Sequence, residues 1–316
     1  MDLNGETFHG DHGYVQYYIP ARAKSYPIIL WHGFGQSGMC FESTPDGREG
    51  YQGILLRNNY AVYIVDQPRR GRAGATQSPF DANGSMLPES VAWEIFRIGD
   101  DDSRYFPNVK FPRGGAEAEQ FYRTQTPNTG AEPITEEYRN FMGQNMKALL
   151  DKLDGAILVT HSNSGQYGWR TAIAADAGQL KALIAYEPGA YVFPDNDIPR
   201  EIPSPNALVN ERMRPQIISA QEFLKLTEIP IMVVFGDNIT PEPVDSFAID
   251  GWRVSYEQAK LFVETINRHG GDAILISLPE IGIRGNAHAA FSDLNNAEVA
   301  KQLLDYLHSK KLDKTK

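Results

Sequence analysis

The 316-residue sequence predicts an α/β fold in which helices cover both faces of a mostly parallel central sheet. Short, uninterrupted apolar runs recur along the chain, and stretches compatible with helices lie between them. Such runs are typical of strands that are buried on both faces of a parallel sheet. Because α/β folds of this length are commonly single, we expect one domain over residues 1–316.

Six of these runs and one earlier tyrosine-rich segment are the predicted strands. They lie at residues 14–20, 27–31, 60–65, 156–159, 182–186, 230–235 and 272–277. Helices are predicted at residues 135–153, 166–177, 255–267 and 297–307. Two irregular stretches, at about 73–133 and 190–228, are predicted to be lid-like insertions. Long segments of this kind in a compact domain are usually functional.

Composition and charge exclude several classes of protein. The net charge of −10 argues against nucleic acid or an anionic membrane as the main partner, because both require a basic face. Cys40 is the only cysteine, which excludes an intrachain disulfide and a cysteine-based metal site. No apolar run reaches the length of about 18 residues that a transmembrane helix needs. The first residues lack a signal-peptide pattern, so we expect a cytoplasmic protein, with export after removal of a signal peptide as the alternative.

The turn after the fourth predicted strand carries the candidate nucleophile. A strand, a sharp turn with Ser162 at its apex and a helix form the context in which a nucleophile elbow works. The flanking positions hold Thr160 and Ser164, which are small but depart from the motif G-x-S-x-G. An elbow centred on Ser164 would instead place Gln166 where a small side chain is needed. An ordinary polar loop with N-capping hydroxyls is the alternative explanation.

A second turn predicts part of an oxyanion hole. His32-Gly33 and a Gly-rich loop directly follow the strand at 27–31, and glycines let backbone N–H groups approach a developing oxyanion. The loop donor is the N–H of Phe34 or of Gly35, and both remain open. The second donor is the N–H of Asn163, the residue after the nucleophile. A simple strand-to-helix loop is the alternative.

Two carboxylates compete for the role of the catalytic acid. Glu187 ends the strand that follows the nucleophile, 25 residues after Ser162 (187 − 162). One helix and one strand fit into this interval, so Glu187 returns to the carboxyl edge of the sheet, where ligands bind in open α/β folds. Asp237, after the strand at 230–235, is the alternative acid. His288 precedes the last helix and completes the chain order Ser, acid, His.

These features resemble the α/β-hydrolase superfamily over about residues 14–308. Glu187-Pro188-Gly189 and Gly285-Asn286-Ala287-His288 are similar to a smaller group, the bacterial Ser–Glu–His esterases. The resemblance implies that Ser162 is the nucleophile, Glu187 the acid and His288 the base, with no metal or organic cofactor. It also implies a homodimer. His32 and His161 are expected to pack and form hydrogen bonds beneath the pocket.

The sequence therefore predicts a serine carboxylesterase that acts on a small, hydrophobic ester or lactone through an acyl-enzyme. The aromatic side chains of the first insertion predict an apolar, partly covered pocket. An acyltransferase, or a C–C or amide hydrolase, with the same triad is one alternative. A non-catalytic ligand-binding protein of the same fold is an alternative of another class. The arginines of the segment 66–72 are expected to be solvated.

Overall fold

The computed structural model describes residues 9–77, 87–101 and 104–315. The strands of this part are β1 (Tyr14–Tyr18), β2 (Ile28–Trp31), β3 (Val62–Asp66), β4 (Gly99–Asp101), β5 (Arg104–Tyr105), β6 (Ala156–His161), β7 (Leu180–Tyr186), β8 (Val192–Pro194), β9 (Gln216–Ile218), β10 (Pro230–Phe235) and β11 (Asp272–Ser277). Its α-helices are α1 (Tyr51–Arg57), α2 (Glu89–Ile95), α3 (Gly115–Arg123), α4 (Glu136–Leu150), α5 (Ser164–Ala174), α6 (Ala207–Arg212), α7 (Ala220–Leu226), α8 (Phe247–Arg268) and α9 (Asn296–Ser309).

The main sheet has seven strands in the order β1-β3-β2-β6-β7-β10-β11. All neighbouring strands are parallel except β1, which pairs antiparallel with β3 at one edge. β6 lies in the middle of the sheet, between β2 and β7. The carboxyl ends of these three strands therefore meet at one edge, where the predicted nucleophile, acid and oxyanion loop follow them.

Helices cover both faces of this sheet, as the apolar runs predict. Alternate strand residues point to opposite faces. On one face they pack against α1 and α9, and on the other against α4, α5 and α8. In β6, for example, Ile157 and Val159 belong to the first core and Leu158 to the second, and all three are buried. The predicted fold class is confirmed.

The predicted elements are present, but their ends differ. β10 and β11 have the predicted bounds, whereas α8 begins at Phe247 rather than at residue 255. Ser246 caps this helix by accepting a hydrogen bond from the Ile249 N–H, 3.3 Å away. Gly251 interrupts the sequence pattern, but it lies inside the helix against Met213. Helix α1 is absent from the sequence-based prediction.

The two predicted insertions contain short elements of their own. The first holds α2, β4, β5 and α3, and the second holds β8, α6, β9 and α7. Parts of the first insertion, residues 78–86 and 102–103, lie outside the described residues, as does the amino terminus up to residue 8. Aromatic side chains of the first insertion are buried in the core, among them Trp93, Phe96, Phe111 and Phe121. No helix of the described residues is long and apolar enough to cross a membrane.

Candidate active site

Ser162 occupies a strained turn between β6 and α5. Its φ angle is 55°, in the left-handed region that non-glycine residues rarely adopt. The Ser162 N–H donates to the Tyr186 carbonyl at 2.9 Å, which continues the ladder between β6 and β7 by one residue. The Ser162 carbonyl accepts from Gly165 and Gly189. This backbone conformation is the one that a nucleophile elbow requires.

Two helix glycines explain how the turn tolerates Thr160 and Ser164. A Cβ atom on Gly165 would lie 2.3 Å from Pro188 Cβ, and one on Gly168 would lie 2.9 Å from the Thr160 methyl carbon. α5 can therefore cross close to the ends of β6 and β7. The Ser164 hydroxyl is fully buried and lies 3.0 Å from both the Trp31 carbonyl and the His161 N–H. Ser164 therefore has a structural role in this turn.

Glu187 and His288 are in direct contact. His288 Nδ1 lies 2.5 Å from Glu187 Oε2, and both side chains are buried. The other carboxylate oxygen, Oε1, accepts a hydrogen bond from the Gly236 N–H at 2.7 Å. Glu187 also has a positive φ of 45°. The interaction occupies Nδ1 and leaves Nε2 as the nitrogen of His288 that can exchange a proton with a reacting group.

Asp237, the alternative acid, lies in a different environment. Its carboxylate accepts hydrogen bonds from the Gly285 N–H at 2.8 Å and the Asn108 side chain at 3.2 Å. The Asp237 N–H donates to the Asn286 carbonyl at 2.8 Å. Asp237 therefore holds the loop that precedes His288, whereas Glu187 is the carboxylate that contacts the imidazole.

The electrostatics keep Glu187 ionised and His288 neutral. Burial raises the pKa of Glu187, but attraction to Arg97 and the contact with His288 outweigh it, so the pKa lies below its usual value. Burial lowers the pKa of His288, the contact with Glu187 opposes this effect, and the charge of Arg97 adds to it. The net pKa of His288 lies below its ordinary value, as suits a general base.

Arg97, which the first insertion contributes, is a site residue that sequence reasoning missed. Its guanidinium forms a buried ion pair with Glu187. The two residues before it also support the site. The His288 N–H donates to the Phe96 carbonyl at 2.9 Å, and Trp252 Nε1 donates to the Ile95 carbonyl at 2.7 Å. No periodic pattern marks this irregular segment, so its partners could not be found from the sequence.

The predicted oxyanion loop lies directly against the candidate nucleophile. A Cβ atom on Gly33 would lie 2.9 Å from Ser162 Cβ, so the backbone approaches closely only because the residue is glycine. Phe34 and Asn163 line the same cavity as Ser162 and His288. Within the described part of the chain, the backbone N–H groups of Phe34 and Asn163 have no acceptor. Gly35 has a φ of 71°, and a Cβ atom there would lie 2.8 Å from Gln125 Oε1.

A buried ion pair connects the predicted oxyanion loop with the turn that holds Ser162, and it corrects one prediction. The arginines of the segment 66–72 are predicted to be solvated. Arg70 is instead fully buried. Its guanidinium can be buried because polar groups surround it, among them Glu132, which pairs with it at 3.0 Å. Arg70 also donates to the Gln36 carbonyl at 3.1 Å. Glu132 accepts a hydrogen bond from the Asn163 side chain at 2.8 Å.

His32 and His161 are buried beneath the cavity, as predicted. His32 Nδ1 lies 2.8 Å from the Gly33 carbonyl, and burial lowers the pKa of His32 to about 4. His161 Nε2 lies 3.0 Å from the His288 carbonyl. Burial lowers the pKa of His161 well below its usual value. Both rings are therefore neutral packing residues.

Ser162 and His288 line a cavity of about 360 Å³. Its walls are largely apolar and include Leu87, Ile95, Phe96, Ile134, Leu208, Met213, Phe247 and Trp252, and two arginines, Arg139 and Arg212, also line it. The size and the lining are typical of small-molecule sites. Among the described residues, no group of three His, Cys, Asp or Glu side chains is arranged to hold a metal ion.

Known proteins similar to this chain include esterases and a protein named as a lipase. A bacterial esterase of known structure is 32% identical, with a TM-score of 0.74, over 95% of this chain and 86% of its own. A fungal protein (Fungal sp., strain ATCC 74256) named "Probable secreted lipase phiG" is 28% identical over 93% of this chain and 85% of its own length. A carboxylesterase from Nitrososphaera gargenis, 11% identical with a TM-score of 0.50, shares the fold over 95% of this chain and 96% of its own. No protein-family model matches.

The fungal relative contradicts the expectation of a cytoplasmic protein, because that relative is named as secreted. The expectation depended on the absence of a signal-peptide pattern from the first residues of the chain. The structural similarity to the bacterial esterase, in contrast, agrees with the mostly parallel sheet described above. With 32% identity to the bacterial esterase across nearly its whole length, the chain belongs to the α/β-hydrolase superfamily.

Proposed function

We propose that the protein is a serine carboxylesterase with Ser162 as nucleophile, Glu187 as acid and His288 as base. The observation that carries this proposal is the 2.5 Å contact between His288 Nδ1 and Glu187 at a cavity that Ser162 also lines. The strained φ of Ser162 supports its role, since strain of this kind is concentrated at functional sites. The esterases and the lipase among its relatives support the reaction class.

The proposed reaction proceeds through an acyl-enzyme. His288 Nε2 accepts the Ser162 proton as the oxygen attacks the ester carbonyl, and Glu187 stabilises the imidazolium that forms. The N–H of Asn163 and a loop N–H, from Phe34 or Gly35, bind the oxyanion. The intermediate collapses, the C–O bond breaks, and His288 protonates the leaving alcohol. Water, activated by His288, then releases the acid and restores Ser162.

In this proposal, the hydrogen bond between the Ser162 hydroxyl and His288 forms when the substrate binds. The hydrogen bonds of the described residues do not include one between the Ser162 hydroxyl and His288. Catalytic hydrogen bonds are often long without substrate and tighten only in the Michaelis complex.

The cavity supports a small, hydrophobic ester or lactone as the substrate class. Its volume of about 360 Å³ lies within the range of small-molecule sites, about 300–1,000 Å³. The apolar walls contribute binding energy to an apolar acyl or alcohol group, while the N–H donors orient the carbonyl. From the name of the fungal relative, we further propose that this protein also acts outside the cell.

Pre-steady-state hydrolysis of a p-nitrophenyl ester tests the proposal. We expect a burst of p-nitrophenol equal to the enzyme concentration in the wild type and no burst in Ser162→Ala. An added alcohol acceptor separates the related reactions. Predominant transfer to that alcohol would indicate an acyltransferase. Absence of turnover with every ester, despite ligand binding, would contradict the proposal and favour a binding protein.

A further inference from the structure

We propose that Arg97 is a positioning residue that holds Glu187 in a buried, two-pronged ion pair and so adds to the effect of burial in keeping His288 neutral in the resting site. The proposal depends on the proposed function, because it concerns the charge of the same pair. Among the described residues, the hydrogen bonds of the Arg97 side chain run to Glu187 and to the Asp237 carbonyl. The hydrogen bonds of Arg97 therefore reach the base through Glu187, while its charge also lowers the pKa of His288.

The geometry of Arg97 is that of a two-pronged clamp. Its Nη1 atom donates to Glu187 Oε2 at 2.7 Å, and its Nη2 atom donates to Oε1. Its Nε atom donates to the Asp237 carbonyl at 2.9 Å. Arg97 and Glu187 are 4% and 2% exposed, so water screens the pair little. Such paired hydrogen bonds fix both the plane and the charge of the carboxylate.

The ion pair between Arg97 and Glu187 determines the net charge of this buried site. Glu187 and Arg97 neutralise each other, so a neutral His288 leaves no excess charge. Without the guanidinium, Glu187 would be a buried anion whose remaining cationic partner is a protonated His288. An unpaired buried charge is strongly unfavourable. Loss of Arg97 should therefore drive a proton onto His288 and remove the general base near neutral pH.

The other groups near His288 that are described below do not neutralise the charge of Glu187. The His161 ring lies 4.4 Å from the His288 ring, centroid to centroid, and is neutral because burial lowers its pKa. Asp293, on the loop that follows His288, binds Asn286 and the Ala287 N–H, and burial raises its pKa to about 7. Phe96 and Trp252, which also pack on the ring, carry no charge. Arg97 is the cation that contacts Glu187.

The backbone at Arg97 is also specialised. Its φ angle is 51°, in the left-handed region that non-glycine residues rarely adopt. The preceding Phe96 carbonyl accepts the His288 N–H in this arrangement. One short segment of the insertion thus holds the acid through a side chain and the base through its backbone.

The pH dependence of kcat/KM tests the proposal on wild type, Arg97→Met and Arg97→Lys. We expect the acidic midpoint to rise by roughly 1–3 pH units in Arg97→Met, the range of effect of a neighbouring charge. Activity should recover toward the wild-type value at high pH. Arg97→Lys, which keeps the charge, should have a midpoint close to that of the wild type.

Arg253→Met is the matched control. Arg253 forms a similar two-pronged ion pair with Asp250, at 2.6 and 2.9 Å, but neither residue contacts His288. We expect this variant to lose stability without a change in the acidic midpoint. An equal loss of kcat/KM at all pH values in Arg97→Met, with an unchanged midpoint, would overturn the proposal and leave Arg97 a structural residue.

Titration of the His288 ring by NMR in the Ser162→Ala protein separates this proposal from the proposed function. It requires no turnover, so it is informative even if no ester is hydrolysed, and it requires no Arg97 variant to fold. With Arg97 in place, we expect burial and the charge of Arg97 together to give His288 a pKa below 6.5, the usual value. A pKa above 6.5 would overturn the proposal, whatever the activity of the enzyme.

Discussion

At the scale of single residues, the candidate site is built from backbone conformations that side chains rarely adopt. Ser162, Glu187 and Arg97 have φ angles of 55°, 45° and 51°. Each such residue costs about 1–3 kcal/mol and persists only where its surroundings determine it. Here the surroundings are the continued sheet hydrogen bonds and the buried ion pair. The three strained residues meet at one place, which is typical of a functional site.

Two carboxylate variants test which acid serves His288. Glu187→Gln removes the charge that stabilises the imidazolium, and we expect kcat to fall by about 10⁴-fold, as for the analogous change in serine proteases. Asp237→Asn keeps an oxygen that can accept the Gly285 N–H, so its activity should stay near that of the wild type. Steady-state kinetics decide between them. The reverse ranking would assign the acid to Asp237.

Asp293 gives a prediction about stability and pH. Burial raises its pKa to about 7, whereas an unfolded Asp has a pKa of about 3.9. Between these values the folded protein binds a proton that the unfolded chain releases, so this group makes stability fall as pH rises, by at most about 1.4 kcal/mol per unit. Urea unfolding from pH 4 to 7 should show this fall relative to Asp293→Asn. Parallel stability curves for the two proteins would exclude it.

At the scale of secondary structure, the site lies where three neighbouring parallel strands end. This placement could be predicted, because apolar runs mark β2, β6 and β7, and parallel strands bring their carboxyl ends to one edge. Glu187 could be found for the same reason. Arg97 and Glu132 could not, because each lies in a segment without periodicity. Their partners are set by tertiary packing. Arg70 lies in a short loop whose sequence does not distinguish a buried from a solvated cation.

A pair of glycines tests the close crossing of α5 over the sheet. In Gly165→Ala the new Cβ would lie 2.3 Å from Pro188 Cβ. We expect overpacking to destabilise the protein by about 1–3 kcal/mol. Gly189 is the control, since its Cβ would meet only the Ser162 carbonyl, at 4.0 Å. Urea unfolding of both variants is the measurement. Equal stability of Gly165→Ala and the wild type would refute the tight crossing.

At the scale of the whole molecule, the first insertion does more than cover the pocket. It places buried aromatic residues in the core and holds both Glu187 and His288, so the proposed catalytic base depends on it. Its removal should therefore abolish activity rather than open the site. The homodimer expected from the family resemblance remains a prediction, as does the single domain over residues 1–316.

The apolar cavity predicts substrate preference. Among esters of one alcohol, we expect kcat/KM to be higher for a butyrate than for the matched 3-hydroxybutyrate, because removing a hydroxyl from water into a largely apolar cavity costs more than burying a methylene. Longer acyl chains should improve kcat/KM until they exceed the cavity of about 360 Å³. A panel of acyl chain lengths measures both trends. Preference for short polar esters would contradict this prediction.

The most direct test of the central claim is intact-mass spectrometry after reaction with an activated organophosphonate. The account predicts one adduct on the wild type, none on Ser162→Ala, and much slower labelling of Glu187→Gln, because the base is then poorly oriented. The Ser164→Ala protein is informative in the same experiment, since Ser164 is buried and should not be the labelled residue. An adduct that persists in Ser162→Ala, or no adduct on the wild type, would contradict the account.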